Sequence, residues 1–504
     1  MFHFLAKRFE MLFKTIRYAM IMSVNAESVP IFTMTTTYIS FVLLILFGYF
    51  RDIVGMLFLT KGYRHLMRKG DLQPIYTTFE SFFIRRLYTR IRDCWNRPIT
   101  GVPGRIIQVL ERKSYDNNQT FILTGKKIPL LNLSSYNYLG FGTNKMEVIK
   151  NDLATADLFP INYPGTVSDI GTHPINRNLE KHIARFLRKE DCIVFPMGFG
   201  TNSCNIPIIS DENTLILSDE LNHNSIIYGS KMSQGCIRTF AHNDMDNLDK
   251  LLRFYISQGH PDTKKAWNKI IVIAEGLYSM EGTVLSLKKL IMLRRKYKFY
   301  LFIDEAHSIG AMGATGRGVA EYCNVPFDEI DIFMGTFTKS FGAAGGYIAA
   351  DKKVINFLRN YSDFSLYGEQ LSPVVAQHIL TSFKVMNGPF GNVLRRRLRD
   401  NITMLRKGLI AKGFVVFGEE ESPIIPLLIY NPGKMFEFSR MCMQRGLAVV
   451  VVGYPATPVI SNRARFCVSS IHTEEDIKCV LKVIEEVGEL LGINVLKKRR
   501  FFFF

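Results

Sequence analysis

Beyond about Ile128 the chain alternates short, unbroken apolar runs with stretches of helical period. Ile193-Val194-Phe195, Leu215-Ile216-Leu217, Ile270-Ile271-Val272-Ile273-Ala274, Leu301-Phe302-Ile303 and Ile332-Phe333-Met334 each give way to Pro, Ser, Glu, Asp or Gly. Continuous apolar strands separated by helices predict an α/β fold with a mainly parallel sheet, buried on both faces. Polar residues at the strand ends then converge on one edge, where open sheets bind ligands. Past Gly388 a Leu- and Arg-rich helical stretch and the apolar runs 424–429 and 447–452 predict a smaller C-terminal α/β domain. The expected division is 1–60 for an N-terminal membrane-associated segment, 61–128 for a linker region, 129–387 for a large cofactor-binding domain and 388–504 for the small domain.

The N-terminal segment has a different pattern. No charged residue occurs in residues 28–50, a run long enough for the roughly 20 apolar residues that cross a bilayer core. Thr33 and Thr35-Thr36-Thr37 weaken its first half, which leaves a shallow insertion open. Before it, Phe2, Phe4, Leu5, Phe9, Leu12, Phe13 and Ile16 interleave with Lys7, Arg8, Lys14 and Arg17, the pattern of a basic amphipathic helix lying on a membrane surface. Basic residues flank the apolar run on both sides, so charge alone does not orient it. The tail at 501–504 is four phenylalanines, with no mechanism attached beyond insertion at an interface.

Hydrophobic residues make up 47% of the 504 and support a large core; the net charge is +18. The basic excess is dispersed and forms no nucleic-acid motif, so anionic lipid and an anionic acyl thioester explain it better than nucleic acid. The eight cysteines contain no CxxC pair, which argues against a zinc site or a disulfide framework and for a reducing compartment. Asp304-Glu305-Ala306-His307 matches the DEAH tetrapeptide of helicases, but neither Gly125-Lys126 nor Gly433-Lys434 has the spacing of a phosphate loop.

The chemistry-bearing residues cluster around Gly335-Thr336-Phe337-Thr338-Lys339-Ser340-Phe341-Gly342. Lys339 follows an apolar run and precedes Gly342-Ala343-Ala344-Gly345-Gly346, where bulky side chains are excluded. Upstream, Tyr300-Leu301-Phe302-Ile303 runs into Asp304, with His307 three residues on. A lysine amine for a Schiff base, an acid for a pyridinium nitrogen and a polar group for a ring hydroxyl are what an aldehyde cofactor of the pyridoxal phosphate type needs.

Residues from about Tyr76 to Leu491 resemble the α-oxoamine synthase family, and within it the eukaryotic serine palmitoyltransferase catalytic-subunit branch. The matching stretches include Ser135-Tyr136-Asn137-Tyr138-Leu139-Gly140-Phe141, Leu217-Ser218-Asp219-Glu220-Leu221-Asn222-His223, Glu275-Gly276-Leu277-Tyr278-Ser279-Met280-Glu281-Gly282 and Val450-Val451-Val452-Gly453-Tyr454-Pro455. The resemblance implies a pyridoxal-phosphate transferase fold of aminotransferase type. It implies condensation of L-serine with palmitoyl-CoA, a related non-catalytic partner subunit, and an endoplasmic-reticulum membrane location with the catalytic body in the cytosol. It implies Lys339 as the Schiff-base lysine, Asp304 at the pyridinium nitrogen, His307 near the phenolic oxygen and His223 over the ring. Gly198, Phe199 and Thr336 match the phosphate-binding positions, Ser279 a serine near the ring hydroxyl, and Asn137 and Arg465 the groups that hold the amino-acid carboxylate. Arg463 is the weaker candidate for that last role.

Two segments depart from the family pattern. Val167, in Gly165-Thr166-Val167-Ser168-Asp169-Ile170-Gly171, stands where an arginine is usual, and Glu369-Gln370 stand where the family has Thr-Ser. The second segment reaches toward the partner's cofactor in this family. A carboxylate about 5 Å from a phosphate would be repelled by roughly 3 kcal/mol at an effective dielectric near 20. Glu369 therefore suits a partner with no cofactor and fits a heterodimer better than a homodimer; the alternative is a paralogue of reduced activity.

Overall fold

The computed structural model describes residues 31–58, 79–143, 146–454 and 456–496. The expected amphipathic helix within 1–24 and the 501–504 tail lie outside the described residues.

Three sheets order the chain. Strands β1 (Ile99–Thr100), β2 (Ile106–Lys113) and β3 (Ile122–Asn132) form a meander, which β12 (Leu447–Ala448) joins in parallel. The large sheet takes β4 (Asp191–Phe195), β5 (Thr214–Asp219), β6 (Cys236–Phe240), β7 (Lys269–Glu275), β8 (Tyr300–Asp304), β9 (Ile332–Thr336) and β10 (Gly346–Ala350) in the order β4-β10-β9-β8-β7-β5-β6. Only β10 runs against the others. A third sheet, β11-β14-β13, is built from Ile424–Tyr430, Asn462–Cys467 and Val450–Val452.

Each strand predicted for the large sheet is present and buried on both faces, and successive side chains alternate between two cores. Ile216, Ile271, Ile273, Phe302 and Met334 belong to the core on one face; Leu215, Leu217, Val272, Ala274, Leu301, Ile303 and Phe333 belong to the core on the other. The run 447–452 behaves differently from a single strand. It divides at Val449, with Leu447–Ala448 pairing with β3 and Val450–Val452 pairing with β14. Residues near the N-terminal and C-terminal ends thus share a sheet, and β3 crosses the boundary expected at residue 128.

The apolar N-terminal segment is one helix, Ile31–Phe58, long and apolar enough to cross a membrane from Phe32. Its hydroxyls do not break it: Thr36 Oγ1 donates to Phe32 O at 2.8 Å and Ser40 Oγ to Thr36 O at 2.7 Å. Back-bonding to the preceding turn gives these two hydroxyls partners inside the helix, whereas Thr37 Oγ1 is buried without one. At its far end the fully buried Asp52 is gripped by Arg85 and Arg86 from the helix Phe79–Arg86, which ties the apolar segment to the body.

Candidate active site

The parallel strands end on one edge, and the register places their polar termini side by side. Asp304 ends β8 opposite Glu275 at the end of β7, and β9 ends at Thr336 opposite Gly346. Strand β4 leads into the short helix Gly198–Ser203, β5 leads to His223, and Lys339 follows β9 by three residues. The loop holding Lys339 is fixed by contact. Gly342 has φ +62°, and a Cβ there would lie 2.2 Å from Gly142 N, so only glycine permits this approach.

Lys339 is half-buried, with Nζ 5.7 Å from the centre of the Tyr136 ring. Burial lowers its pKa to about 8, against the opposing pull of Asp304 and Glu275. The amine is thereby brought close to the neutral, nucleophilic form at physiological pH. Asp304 is buried; its Oδ2 accepts from Asn202 Nδ2 at 2.8 Å and its Oδ1 from the Ala306 amide at 2.8 Å. Asn202 also donates to Ser225 Oγ at 3.0 Å, which fixes the amide and therefore the carboxylate.

His307 Nδ1 lies 2.9 Å from the Tyr138 hydroxyl, and its ring packs edge-on against Tyr136 at 4.9 Å. Burial first, then the charges of Lys339 and Arg465, hold this imidazole neutral. His223 caps the helix Asn224–Met232 through Ser225, and its amide donates to Glu275 Oε1 at 2.5 Å. Burial and Lys339 also depress its basicity. Its ring lies 6.2 Å from that of Phe199.

Gly198 and Phe199 carry first-turn N–H groups that the helix itself cannot satisfy. A Cβ on Gly198 would sit 2.6 Å from Thr336 Oγ1, so the backbone approaches that hydroxyl closely. Thr336 Oγ1 donates to Gly345 O at 2.9 Å and lies 2.9 Å from the hydroxyl of the exposed Thr338. Ser279 lies in the turn after β7 and hydrogen-bonds to Tyr136.

The two candidate carboxylate-binding residues differ. Arg465, on β14, is buried, stacks its guanidinium 4.7 Å from the Tyr136 ring centre, and leaves Nε without a partner. Arg463 is already committed to Ser461 O, Met280 O and Glu281. Asn137 is partly committed: its Nδ2 donates to Pro103 O at 3.0 Å and its Oδ1 accepts from Gly142 N at 3.1 Å, which leaves one amide N–H.

Sequence reasoning did not assign Tyr136, Tyr138, Asn202 or Glu275. The tyrosines flank Asn137 in a stretch already singled out, and Glu275 opens another. Asn202 carried no signal, because its role depends on a helix facing the end of β8. The Glu305 of the DEAH tetrapeptide lies inside the fold, where burial raises it to about 7, and accepts from Val319 N and from Ser308.

The residues fit pyridoxal phosphate. A buried acid fixed by a donor, a depressed lysine, a neutral histidine, open backbone N–H groups beside Thr336 and an unpartnered guanidinium nitrogen together answer its ring, aldehyde, phenol and phosphate and a substrate carboxylate. Among the described residues no cluster of metal-ligating side chains occurs.

The aminotransferase class I and II family model matches residues 128–484. Serine palmitoyltransferase 2 of Saccharomyces cerevisiae is 47% identical over 93% of this chain and 84% of its own length. Serine palmitoyltransferase 3 of Homo sapiens is 43% identical over 94% of this chain and 87% of its own. The solved serine palmitoyltransferase of Sphingomonas wittichii superposes with a TM-score of 0.73 at 26% identity, covering 83% of this chain and 99% of its own. A structure of SPT with pyridoxal phosphate bound gives 0.72 at 25% identity, covering 82% of this chain and 100% of its own. The chain belongs to the serine palmitoyltransferase group of the class I and II aminotransferase family, whose members are pyridoxal-phosphate-dependent acyltransferases.

Proposed function

We propose that this chain is a catalytic subunit that condenses L-serine with palmitoyl-CoA, releasing CoA and carbon dioxide and forming 3-oxosphinganine, the opening step of sphingolipid synthesis. The observation that carries this reading is the convergence of Lys339, His307 and Arg465 around Tyr136, with Asp304 acting on Lys339, in a chain 47% identical to a serine palmitoyltransferase.

Bound pyridoxal phosphate supplies an electron sink for charge developing at the amino-acid α-carbon. Asp304, fixed by Asn202, keeps a proton on the ring nitrogen. His223 presents a neutral ring from the cap of its helix. His307, oriented by Tyr138, holds a polar nitrogen for the phenolic oxygen. Arg465 grips the serine carboxylate with two parallel N–H groups, assisted by the remaining Asn137 N–H, and so helps set which α-carbon bond is cleaved. Lys339 Nζ would take the proton from the amino-acid α-carbon; a pKa of about 8 suits a base working near neutrality. Gly198, Phe199 and Thr336 hold the phosphate and Ser279 assists near the ring hydroxyl.

The helix Ile31–Phe58 supports membrane association, and we place the chain at the endoplasmic reticulum with its catalytic body in the cytosol. A related non-catalytic subunit completes it. Glu369 is exposed and Asn162 Nδ2 donates to it at 2.7 Å, while Gln370 bonds His173 N and Gly171 O. The two unusual segments thus pack against each other, with Thr166 and Glu369 forming a bridge beside Val167. The test is co-expression with the related subunit, followed by mass analysis of product formed from isotopically labelled serine, glycine or alanine and acyl-CoA of graded length. Serine-dependent 3-oxosphinganine is expected; preference for glycine or alanine would assign a different α-oxoamine synthase reaction.

A further inference from the structure

At the far end of the N-terminal helix two cavities meet. One is an apolar cleft of about 210 Å³ between the face formed by Phe41, Leu44 and Phe47 and a wall that includes Leu87, Trp95 and Phe436. The other, about 510 Å³, is polar and lined by Arg51, Arg85, Arg86, Arg90 and residues 117–119. Arg51, Arg86 and Arg90 line both, so the apolar cleft opens onto a basic mouth.

The charges at this mouth are unbalanced. Asp52 takes up Arg85 and Arg86, whereas Arg51 and Arg90 are exposed and form no ion pair among the described residues. Arg90 is further depressed, by burial first and then by Arg51 and Arg86, as crowded like charges require. Depth matters too. Arg51 is the first charged residue of the helix that begins at Ile31, and at 1.5 Å per residue it lies about 30 Å along, the thickness of a bilayer core. The apolar face precedes Arg51 along the helix and packs against the body, so on the membrane reading of the helix this edge of the body meets the membrane surface and the arginines would lie near headgroup level.

We propose that this paired cleft is a binding site for an anionic glycerophospholipid, one acyl chain lying between the helix and the body and the phosphate held by Arg51 and Arg90. The inference rests on the membrane reading of the helix given above. The matching features are one apolar slot between the N-terminal helix and the body and, at its mouth, two guanidiniums with no ion pair among the described residues. A bound lipid would complete the joint between helix and body that the Asp52 pairs begin. Recognition is by charge, so a phospholipid of net negative charge is favoured over a zwitterionic one by about 30-fold for two arginines near the surface.

The chain has two tryptophans, and Trp95 lines the cleft, which supplies a reporter. The full chain is reconstituted in nanodiscs of phosphatidylcholine in which either phosphatidylserine or phosphatidylcholine carries brominated acyl chains. The signal of Trp95 is isolated by subtracting a Trp95→Phe variant. Brominated phosphatidylserine is expected to half-quench Trp95 at about one-thirtieth the mole fraction needed for brominated phosphatidylcholine. Arg51→Gln with Arg90→Gln should erase that difference while serine-dependent turnover in detergent persists. As a readout independent of Trp95, native mass spectrometry should find phosphatidylserine retained on the wild-type chain and lost from the double variant. Equal quenching by the two lipids, or relief of quenching by palmitoyl-CoA, would overturn the proposal while leaving the membrane reading intact; the second result would assign the cleft to the acyl thioester. Failure of the chain to enter nanodiscs of any composition would overturn both.

Discussion

At the edge of the large sheet, Lys339 is enclosed by Asp304, Glu275 and Arg465, and burial lowers its basicity. At the foot of the N-terminal helix, four arginines line one polar cavity; Asp52 pairs with Arg85 and Arg86, and Arg51 and Arg90 are exposed. In the first region charge is compensated by groups of the same chain, and the result is a chemically tuned amine. In the second, two exposed guanidiniums have no ion pair among the described residues, which is what the proposed lipid site rests on. The contrast separates a site built to change a pKa from a surface built to receive a ligand.

The largest effect expected is in the compensated region. Lys339→Ala should abolish the near-visible absorbance of the lysine-bound cofactor and reduce turnover by at least about 1,000-fold, because both nucleophile and base are lost. Retained turnover would move the reaction elsewhere. Asp304→Asn should keep cofactor bound yet lose roughly 100-fold in turnover, since a neutral amide does not hold the ring proton. Serine α-proton exchange at the wild-type rate would refute that role. Asn202→Ala, which removes only the donor that orients Asp304, should cost about tenfold in kcat with KM for serine little changed.

A pH series sharpens the comparison further. With Lys339 held at about 8 by burial, its neutral fraction rises tenfold per pH unit below that value and levels off above it. Stopped-flow capture of pyridoxal phosphate by cofactor-free protein should therefore accelerate with pH and flatten near 8. Acceleration continuing past pH 10 would mean that burial does not tune this amine.

The smallest effect concerns the unusual segments. Glu369→Thr with Gln370→Ser should leave heterodimer turnover within about twofold and lower stability by roughly 1–2 kcal/mol, because the Gln370 bonds to His173 and Gly171 are lost. A large fall in turnover would show that these side chains act on the chemistry itself.

Much of this was legible in the sequence where local pattern and site chemistry coincide. The apolar runs identify the strands of the large sheet, and Asp304 and Lys339 are conspicuous because each directly follows or closely trails such a run. What was not legible depends on residues brought together from far apart. Asn202 becomes significant only because the helix after β4 faces the end of β8. The run 447–452 reads as one strand because periodicity does not reveal that its halves pair with different sheets. Thr33 and Thr35-Thr36-Thr37 read as weakening the apolar segment, yet hydroxyls in a helix can bond to the carbonyls one turn back, as Thr36 does. Tyr136 stands beside Asn137 in the motif, but its contact with Lys339, Arg465 and His307 requires three separate elements to converge.

The central claim is that the chemistry resides at Lys339. Borohydride reduction of the cofactor-loaded protein, followed by digestion and mass mapping, tests it most directly. The account predicts a single phosphopyridoxyl adduct on the peptide containing Lys339, absent from Lys339→Ala. An adduct on a different lysine of the wild-type chain, or none at all in protein that turns over serine, would contradict it.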